Sequence, residues 1–305
     1  MKTRLVCLLA FLSAVLRMPR TAAAQTDWKK YEERATELLQ RYFRFDTSNP
    51  PGNESRAAEF FCDVFSKEGI ECQILEIAPG RANAYARLKG DGSKRPLILL
   101  SHTDVVNADP KLWSVLPFSG ELRNGALYGR SAQAMKSEGM LQAMVMIALK
   151  REKVKLSHDV IFLAVADEEV HTLGTEWMVQ HKRELVADAE YLINEGGENL
   201  VDENGAVPFW GVGVAEKAPF WLRLTARGKA GHGSVPHADA APHRLARALA
   251  RVVNHETPLR VSLLTQRIFC DIARVRFPSE TERFCNLDAS LRDAAFRKRI
   301  SENDD

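Results

Sequence analysis

A group of histidine and acidic side chains follows three short apolar runs of the sequence. Its members are His102, Asp104, Glu168, Glu169 and Glu195. Imidazole and carboxylate groups together are typical ligands of Zn²⁺. A carboxylate beside such an ion can act as a general base toward water. The residue types therefore predict a metal-dependent hydrolytic site.

His102 and Asp104 are separated by a single residue, so on an extended strand they lie on the same side. One ring nitrogen of His102 can then bind a metal while Asp104 accepts a hydrogen bond from the other nitrogen. Taken alone, this pattern is more often a polar strand end with a capping aspartate.

Glu168 and Glu169 are adjacent, so on an extended chain they point in different directions. One of them can bind a metal while the other stays available as a general base. Alternatively, the pair is a solvated acidic turn. Glu195 precedes two glycines, where the backbone can turn sharply, and its alternative role is to cap that turn.

His232 lies between Gly231 and Gly233 in a segment too polar and glycine-rich to be core. An accessible imidazole on such a loop can donate a hydrogen bond to an oxyanion, which makes His232 a candidate catalytic residue. Ser234 is not part of a Gly-x-Ser-x-Gly sequence, which argues against a serine hydrolase.

Strands and helices alternate along the first part of the chain. The continuous apolar runs are typical of strands buried on both faces of a parallel sheet; they occupy residues 96–100, 160–165 and 191–193. Helical patterns cover residues 28–45, 55–67, 135–151 and 175–185, and mixed strands cover 72–77 and 84–88. We predict an α/β fold with a mostly parallel sheet covered by helices on both faces. Ligands bind at the carboxyl edge of such sheets, where the acidic group would converge.

The character of the sequence changes after about residue 213. Residues 219–225 alternate as in a strand, and residues 240–254 form a strong helical pattern with alanine and leucine on one face. We therefore predict a catalytic domain over residues 25–213 and a second α+β domain over residues 214–305.

The N-terminus has the three parts of a signal peptide. Lys2 and Arg4 precede an apolar run over residues 5–16, and alanines follow at 22–24. We predict cleavage after Ala24, so that residues 1–24 are removed and the protein is exported. The alternative is an uncleaved anchor or a different start. The run is shorter than the roughly 20 residues that span a bilayer, so we expect no stable membrane insertion after cleavage.

The overall charge argues against one class of protein, and the cysteines leave their pairing open. The formal net charge is only +2, which argues against a nucleic-acid-binding protein. Four cysteines lie outside the predicted signal peptide, at positions 62, 72, 270 and 285. They allow three pairings, and isolated core cysteines are equally compatible with the sequence.

Several segments together resemble the co-catalytic zinc exopeptidases, the family of acetylornithine deacetylase, succinyl-diaminopimelate desuccinylase, aminoacylase and the glutamate and vacuolar-type carboxypeptidases. The similar segments are Ser-His-Thr-Asp-Val-Val at 101–106, Gly-Ala-Leu-Tyr-Gly-Arg at 125–130, Asp-Glu-Glu at 167–169, Asn-Glu-Gly-Gly at 194–197 and Gly-His-Gly-Ser-Val-Pro at 231–236. Their order and spacing carry the resemblance, which runs from about residue 28 to at least residue 254.

The resemblance implies two zinc ions and a role for each candidate residue. His102 and Glu195 would bind one ion and Glu169 the other, Glu168 would be the general base, and Asp104 would orient the site. Residues 214–305 would be a lid and dimerisation domain, which implies a homodimer. His232 would reach the active site of a partner subunit. The implied reaction is hydrolysis of an amide next to a free carboxylate, in a small N-acyl amino acid or peptide.

The chain departs from the family pattern at two points. Ala134 stands where the family has the aspartate that bridges the two ions, and Ser131 replaces a glycine. Family members also continue beyond a segment like 214–305 and supply a final histidine ligand there, so the catalytic and lid domains look incomplete. We expect at most one weak zinc site, little hydrolase activity, and no rescue by Ala134→Asp alone. The alternative is an inactive pseudoenzyme that retains binding or dimerisation.

Overall fold

The computed structural model describes residues 26–302 with the exception of 198, 217, 219, 236 and 256. The chain divides into two units between Glu195 and Gly196. This division lies earlier in the chain than the boundary expected near residue 213. The predicted signal peptide at 1–24 lies outside the described residues.

The first unit alternates helices and strands. In chain order these are α1 (Trp28–Tyr42), α2 (Ser55–Lys67), β1 (Cys72–Ala78), β2 (Arg81–Leu88), β3 (Leu97–His102), β4 (Glu121–Arg123), β5 (Ala126–Tyr128), α3 (Lys136–Arg151), β6 (Val160–Val165), α4 (Leu173–His181) and β7 (Tyr191–Ile193). Short 3₁₀ turns occupy Pro110–Leu112 and Arg183–Leu185. The helices and strands predicted from periodicity are confirmed, with shifts of a few residues at some ends.

The central sheet has the strand order β1-β2-β6-β3-β7. Strand β3 runs parallel to both β6 and β7, as predicted. The β1–β2 and β2–β6 pairs are antiparallel, so the sheet is mixed rather than mostly parallel. The β1–β2 pair is antiparallel because the tight turn at Gly80 joins the two strands, and a short connection can join only antiparallel strands.

The two faces of the sheet carry separate cores because side chains alternate along each strand. On β6, Phe162 and Ala164 pack against a cluster that includes residues of α1, α2 and α3. Ile161, Leu163 and Val165 face the other cluster, which includes Met178 of α4. Every residue of β6 is buried, which explains its continuous apolar sequence.

Helix α1 shows how the sequence pattern positions a helix. Its buried residues recur at intervals of three and four, and they are Tyr31, Ala35, Leu38 and Tyr42. This spacing places them on one face of the helix, and α1 packs against α3.

The four cysteines outside the predicted signal peptide form two disulfides. Cys62 of α2 is bonded to Cys72 of β1, and Cys270 is bonded to Cys285 in the second unit. This is one of the three pairings that the sequence left open.

The second unit is mainly helical. It contains β8 (Asn199–Leu200), β9 (Phe209–Trp210), α5 (Ala241–Val253), α6 (Leu263–Arg276), α7 (Thr281–Cys285), α8 (Leu287–Ser290) and α9 (Ala294–Glu302), with a 3₁₀ turn at Pro278–Glu280. Its buried cluster is small and consists of Ala273, Phe284, Leu287 and Phe296. Helix α5 confirms the helix predicted over residues 240–254.

The strand predicted over residues 219–225 is wrong for the part that the structure describes. Residues 220–225 belong to no strand, and Phe220 and Trp221 are 86% and 91% exposed. Alternation alone does not form a strand, because strands are stabilised by pairing and by packing of one face. Among the described helices, none is both long and apolar enough to cross a membrane.

Candidate functional site

The ends of three adjacent parallel strands bring His102, Glu168 and Glu195 together. His102 is the last residue of β3 and pairs in register with Val165 of β6. Its Nε2 atom lies 3.8 Å from Oε2 of Glu195 and 4.0 Å from Oε2 of Glu168. One ligand atom from each residue lies within 4.8 Å of the others, a spacing that fits one metal ion.

Asp104 fixes the orientation of the His102 ring. Nδ1 of His102 lies 3.0 Å from the main-chain oxygen of Asp104 and 3.4 Å from its Oδ1 atom. This contact favours the tautomer with the proton on Nδ1, which leaves the lone pair of Nε2 directed at the two glutamates. The metal-binding arrangement predicted for His102 and Asp104 is therefore geometrically available.

The protonation of His102 depends on these neighbours. Burial disfavours the charged imidazole, but Asp104, Glu195 and Glu168 outweigh burial and raise the pKa of His102. A proton and a metal ion compete for the same lone pair, so metal binding here should weaken at low pH.

Asp104 also holds the two glutamates that follow β6. Its Oδ1 and Oδ2 atoms accept hydrogen bonds of 3.0 Å from the backbone N–H groups of Glu168 and Glu169. Burial raises the pKa of Asp104, but the hydrogen bonds from His102, Asn49 and Glu168 outweigh it and lower the pKa overall. Asp104 therefore connects all the candidate groups on β3 and β6.

A network of buried polar side chains includes Asp104 and holds it in position. The side-chain nitrogen of Asn49 donates to Oδ2 of Asp104 at 2.8 Å and to Oδ1 of Asp167 at 2.7 Å. Arg81 contacts the same Asp167 at 2.9 Å and Glu54 at 2.5 Å. Asp104, Asp167 and Glu54 are all fully buried.

The sequence interpretation missed this network. Residues 46–53 are rich in turn-forming residues, and nothing in that pattern indicates that Asn49 is buried. The available signal was Asp167, which directly precedes the acidic pair. Asp167 has a φ angle of 62°, in the left-handed region that is costly for a residue other than glycine. The turn places the backbone N–H groups of the next two residues within hydrogen-bond distance of Asp104.

Glu169 lies outside the three-residue group. It is half-buried, and burial is the main reason that its pKa is raised. Glu168, for which we expected the role of general base, lies inside the group instead. A position beside the ion suits a base as well as a ligand, so the roles of both glutamates stay predictions.

Ala134 lies on a turn next to His102. The backbone N–H of His102 donates to the sulfur of Met135 at 3.2 Å, which brings this turn to the site. Ser131 has a φ angle of 65°, a conformation that favours the glycine found in the family, and its hydroxyl donates to the carbonyl of Ala134. The methyl group of Ala134 supplies no ligand atom.

Two further ionisable residues lie on the first turn of α3. Glu138 is half-buried, burial is the main cause of its raised pKa, and the charge of Glu195 adds to that rise. Lys136 is fully buried and donates to the carbonyl of Phe45 at 2.7 Å. Burial lowers the pKa of Lys136 to about 7.

His232 belongs to the second unit, where it is exposed. Its Nδ1 atom lies 2.7 Å from the hydroxyl oxygen of Ser234. The proposed role of His232 at an oxyanion stays a prediction.

The chain matches the family model described as peptidase family M20/M25/M40 over residues 98–295. The chain belongs to this family. Aminoacylase-1 of Sus scrofa is 30% identical over 226 residues, which cover 73% of this chain and 54% of that protein. A probable succinyl-diaminopimelate desuccinylase of Staphylococcus aureus is 32% identical over 207 residues, which cover 67% of this chain and 48% of that protein. The chain thus spans about half the length of the curated relatives it matches.

The chain is also similar to two solved structures over about half of its length. An M20 family metallo-carboxypeptidase from Sulfolobus solfataricus matches with a TM-score of 0.47 and 22% identity, over 56% of this chain and 38% of that one. Human carnosine dipeptidase 1 matches with a TM-score of 0.48 and 17% identity, over 55% of this chain and 39% of that one. The M20 family is metal-dependent, and the His102, Glu168 and Glu195 group is a candidate metal site of this member.

Proposed function

We propose that this M20 hydrolase acts on an amide bond next to a free carboxylate, in N-acyl amino acids or small peptides, with zinc as its metal. The observation that carries the proposal is the group formed by His102, Glu168 and Glu195 at the carboxyl edge of the sheet. Imidazole and carboxylate donors suit Zn²⁺, and the carboxylate of Glu168 lies beside the atoms of His102 and Glu195 that would hold the ion.

The chain's own residues can perform the proton transfers of amide hydrolysis. Glu168 takes a proton from the attacking water as the water oxygen bonds to the carbonyl carbon. Glu168 then returns that proton to the amine nitrogen as the C–N bond breaks. His102, oriented by Asp104, and Glu195 would hold the cation. A divalent cation held there supplies Lewis acidity to the scissile carbonyl and lowers the pKa of water.

We further propose that activity is low because Ala134 replaces the bridging aspartate. A bridging carboxylate holds two cations close together and offsets their repulsion, and alanine cannot do so. The group described above has ligands for one ion, and each 1.36 kcal/mol lost from transition-state stabilisation lowers the rate about tenfold. The expected state is a single bound zinc with weak turnover.

The test combines metal content with hydrolysis. The purified chain, dialysed against a fixed concentration of free Zn²⁺, should bind no more than one zinc per chain by elemental analysis. It should hydrolyse a panel of N-acyl amino acids and dipeptides slowly, and Glu168→Ala should remove that activity. Two zinc ions per chain with rapid turnover that Glu168→Ala abolishes would contradict the impairment but support the hydrolase. Turnover that survives Glu168→Ala would contradict the proposed mechanism.

The second candidate is that the chain is a catalytically inactive family member that retains ligand binding or dimerisation. The presence of alanine at position 134 favours this alternative. Phe220 and Trp221 of the second unit are largely exposed, which makes this segment a candidate for pairing between copies. Light scattering at micromolar concentration should then show a dimer. A monomer that binds zinc and turns over substrate would remove this alternative.

We also propose export with cleavage after Ala24. The three-part N-terminus supports this proposal, and so do the two disulfides, because disulfides are typical of oxidising compartments. Mass spectrometry of the secreted protein should find Gln25 as the first residue. An intact Met1 terminus in the soluble fraction would contradict the proposal.

A further inference from the structure

The first turn of α3 packs against the end of β3. Gly139 lies so close to this strand that a Cβ atom placed there would be 2.9 Å from Oγ of Ser101, the residue before His102. One turn further along α3, Nε2 of Gln142 donates to the carbonyl of Leu100 at 2.9 Å. These two contacts hold the start of the helix beside the strand that carries the imidazole of the candidate metal site.

The carboxylate of Glu138 lies on the side of α3 that faces β3. Its Oε1 atom accepts a hydrogen bond from Nε2 of Gln142 at 3.3 Å, and the same nitrogen donates to the carbonyl of Leu100. Leu100 is only two residues before His102 on the strand. Glu138 is half-buried, and it forms no ion pair among the residues that the structure describes. Its negative charge is therefore close to the site and not neutralised by a described cation.

Strand β7 brings a second glutamate to the same end of β3. The two strands pair so that Ile193 lies beside Leu99. Glu195 follows two residues later, and its Oε2 atom is 3.8 Å from Nε2 of His102. Burial raises the pKa of Glu138, and the charge of Glu195 adds to that rise, which agrees with the placement of both carboxylates at this strand end.

The position of the absent aspartate lies between these groups. Ala134 is exposed, so no larger side chain fills the place of that carboxylate. Glu138 follows four residues later, and the sulfur of Met135 between them accepts the backbone N–H of His102. The hydrogen bond to the Glu138 carboxylate is longer than the roughly 2.7–3.2 Å typical of N–H···O bonds. Little is therefore lost when this side chain turns toward a cation.

We propose that Glu138 is a ligand of the metal ion that His102 and Glu195 hold. Its carboxylate would replace the one that Ala134 lacks, and carboxylate oxygens are ordinary ligands of Zn²⁺. This inference rests on the proposed function, because the ion is the one that the hydrolase would use. The alternative role of Glu138 is electrostatic, since an acidic side chain in the first turn of a helix interacts favourably with the helix dipole.

The test measures the Zn²⁺ affinity of the full chain by isothermal titration calorimetry. Glu138→Gln should lower the affinity by at least about tenfold, the smallest loss expected when even an outer-shell partner is removed. Glu138→Asp should also lower it, because the shorter side chain keeps the charge but does not reach the ion. The matched control is Glu176→Gln, which removes an exposed acid from the first turn of α4 and should leave the affinity unchanged.

A double-mutant cycle tests whether Glu138 replaces the absent aspartate. Ala134→Asp should raise the Zn²⁺ affinity more in the Glu138→Gln background than in the unmodified chain, because only that background lacks a carboxylate for the ion. Equal gains in the two backgrounds would contradict the replacement.

The outcomes separate this inference from the hydrolase proposal. An unchanged Zn²⁺ affinity in a folded Glu138→Gln variant, or an affinity that Glu138→Asp retains in full, would overturn the role of Glu138 even if the chain hydrolyses its substrates. A loss of affinity in both variants supports the role even if the unmodified chain shows no turnover. Absence of Zn²⁺ binding by the unmodified chain would overturn both this inference and the metal site. Circular dichroism verifies folding, and Glu138→Asp provides the test if Glu138→Gln does not fold.

Discussion

Strand β6 has carboxylates at both of its ends, and the groups around them differ. At its start, Asp159 accepts hydrogen bonds from Arg87 at 2.6 Å, from Lys89 at 3.0 Å and from the backbone of Gly90 at 2.7 Å. Arg87 also pairs with Asp188 at 2.6 Å. The charges at this end therefore neutralise one another within the protein.

At the other end of β6, carboxylates converge on an imidazole. Glu168 and Glu195 approach the same nitrogen of His102, and Asp104 holds the opposite side of that ring. Such an arrangement of electron-pair donors favours a cation supplied from outside. The comparison shows that buried charges alone do not indicate a metal site. The direction in which the electron-pair donors point is what distinguishes such a site.

The largest expected effect concerns Arg81 and Arg87, which pair with carboxylates near the two ends of β6. Arg81→Met would leave Glu54 and Asp167 buried without their cation, and we expect a loss of about 3–5 kcal/mol in the free energy of unfolding. Arg87→Met should cost less, about 1–2 kcal/mol, because Asp159 keeps Lys89 and Gly90 and Asp188 is half-exposed. Urea unfolding measures both values. Equal losses would show that the two networks do not differ in this way.

The second prediction uses the histidines at the two ends. His102→Ala should weaken Zn²⁺ binding by more than the roughly 10- to 100-fold loss that follows removal of an outer-shell partner. His158 lies beside the start of β6, where its Nδ1 atom is 2.5 Å from the carbonyl of Arg95. His158→Ala should leave the affinity unchanged. Isothermal titration calorimetry with Zn²⁺ provides the measurement. An unchanged affinity in His102→Ala would show that His102 does not bind the ion.

The third prediction separates positioning from stability with two buried asparagines. Asn49→Ala should lower the Zn²⁺ affinity about 10- to 100-fold, because it releases Asp104, which orients His102. Asn83 is the matched control: it is fully buried and hydrogen-bonds Gly174 and Ala166 at 2.9 Å. Asn83→Ala should lower stability but not metal affinity. If both variants changed affinity equally, Asn49 would have only a structural role.

The last prediction concerns the pH dependence of stability and Lys136. Its pKa is lowered from 10.5 to about 7 by burial, so between these values the unfolded chain binds a proton that the folded chain does not. Lys136 therefore makes stability rise with pH across that window, by at most about 1.4 kcal/mol per pH unit.

Urea unfolding from pH 7 to pH 10 tests the contribution of Lys136. Lys136→Met should remove this part of the pH dependence, whereas Lys150→Met, an exposed position at the end of the same helix, should retain it. A rise of stability with pH in Lys136→Met that is as steep as in the unmodified chain would contradict the assignment.

The sequence predicted most elements of the first unit and the identity of the candidate ligands. Apolar runs are sufficient for this where both faces of a strand are buried, as in β6, and helical spacing is sufficient where one face is buried, as in α1. Alternation was misleading over residues 220–225 of the predicted strand, because pairing of a strand depends on a partner that its own sequence does not specify.

The sequence alone determined which residues could bind a metal, that Ala134 could not, and that the chain resembles zinc exopeptidases. Only the tertiary structure decided which of those residues meet: Glu168 joined His102 and Glu195, while Glu169 lay outside the group. It also decided that Asn49 lies between Asp104 and Asp167. The physical reason is that contacts between side chains depend on strand order, register and turn geometry, and these arise from packing between residues far apart in the chain.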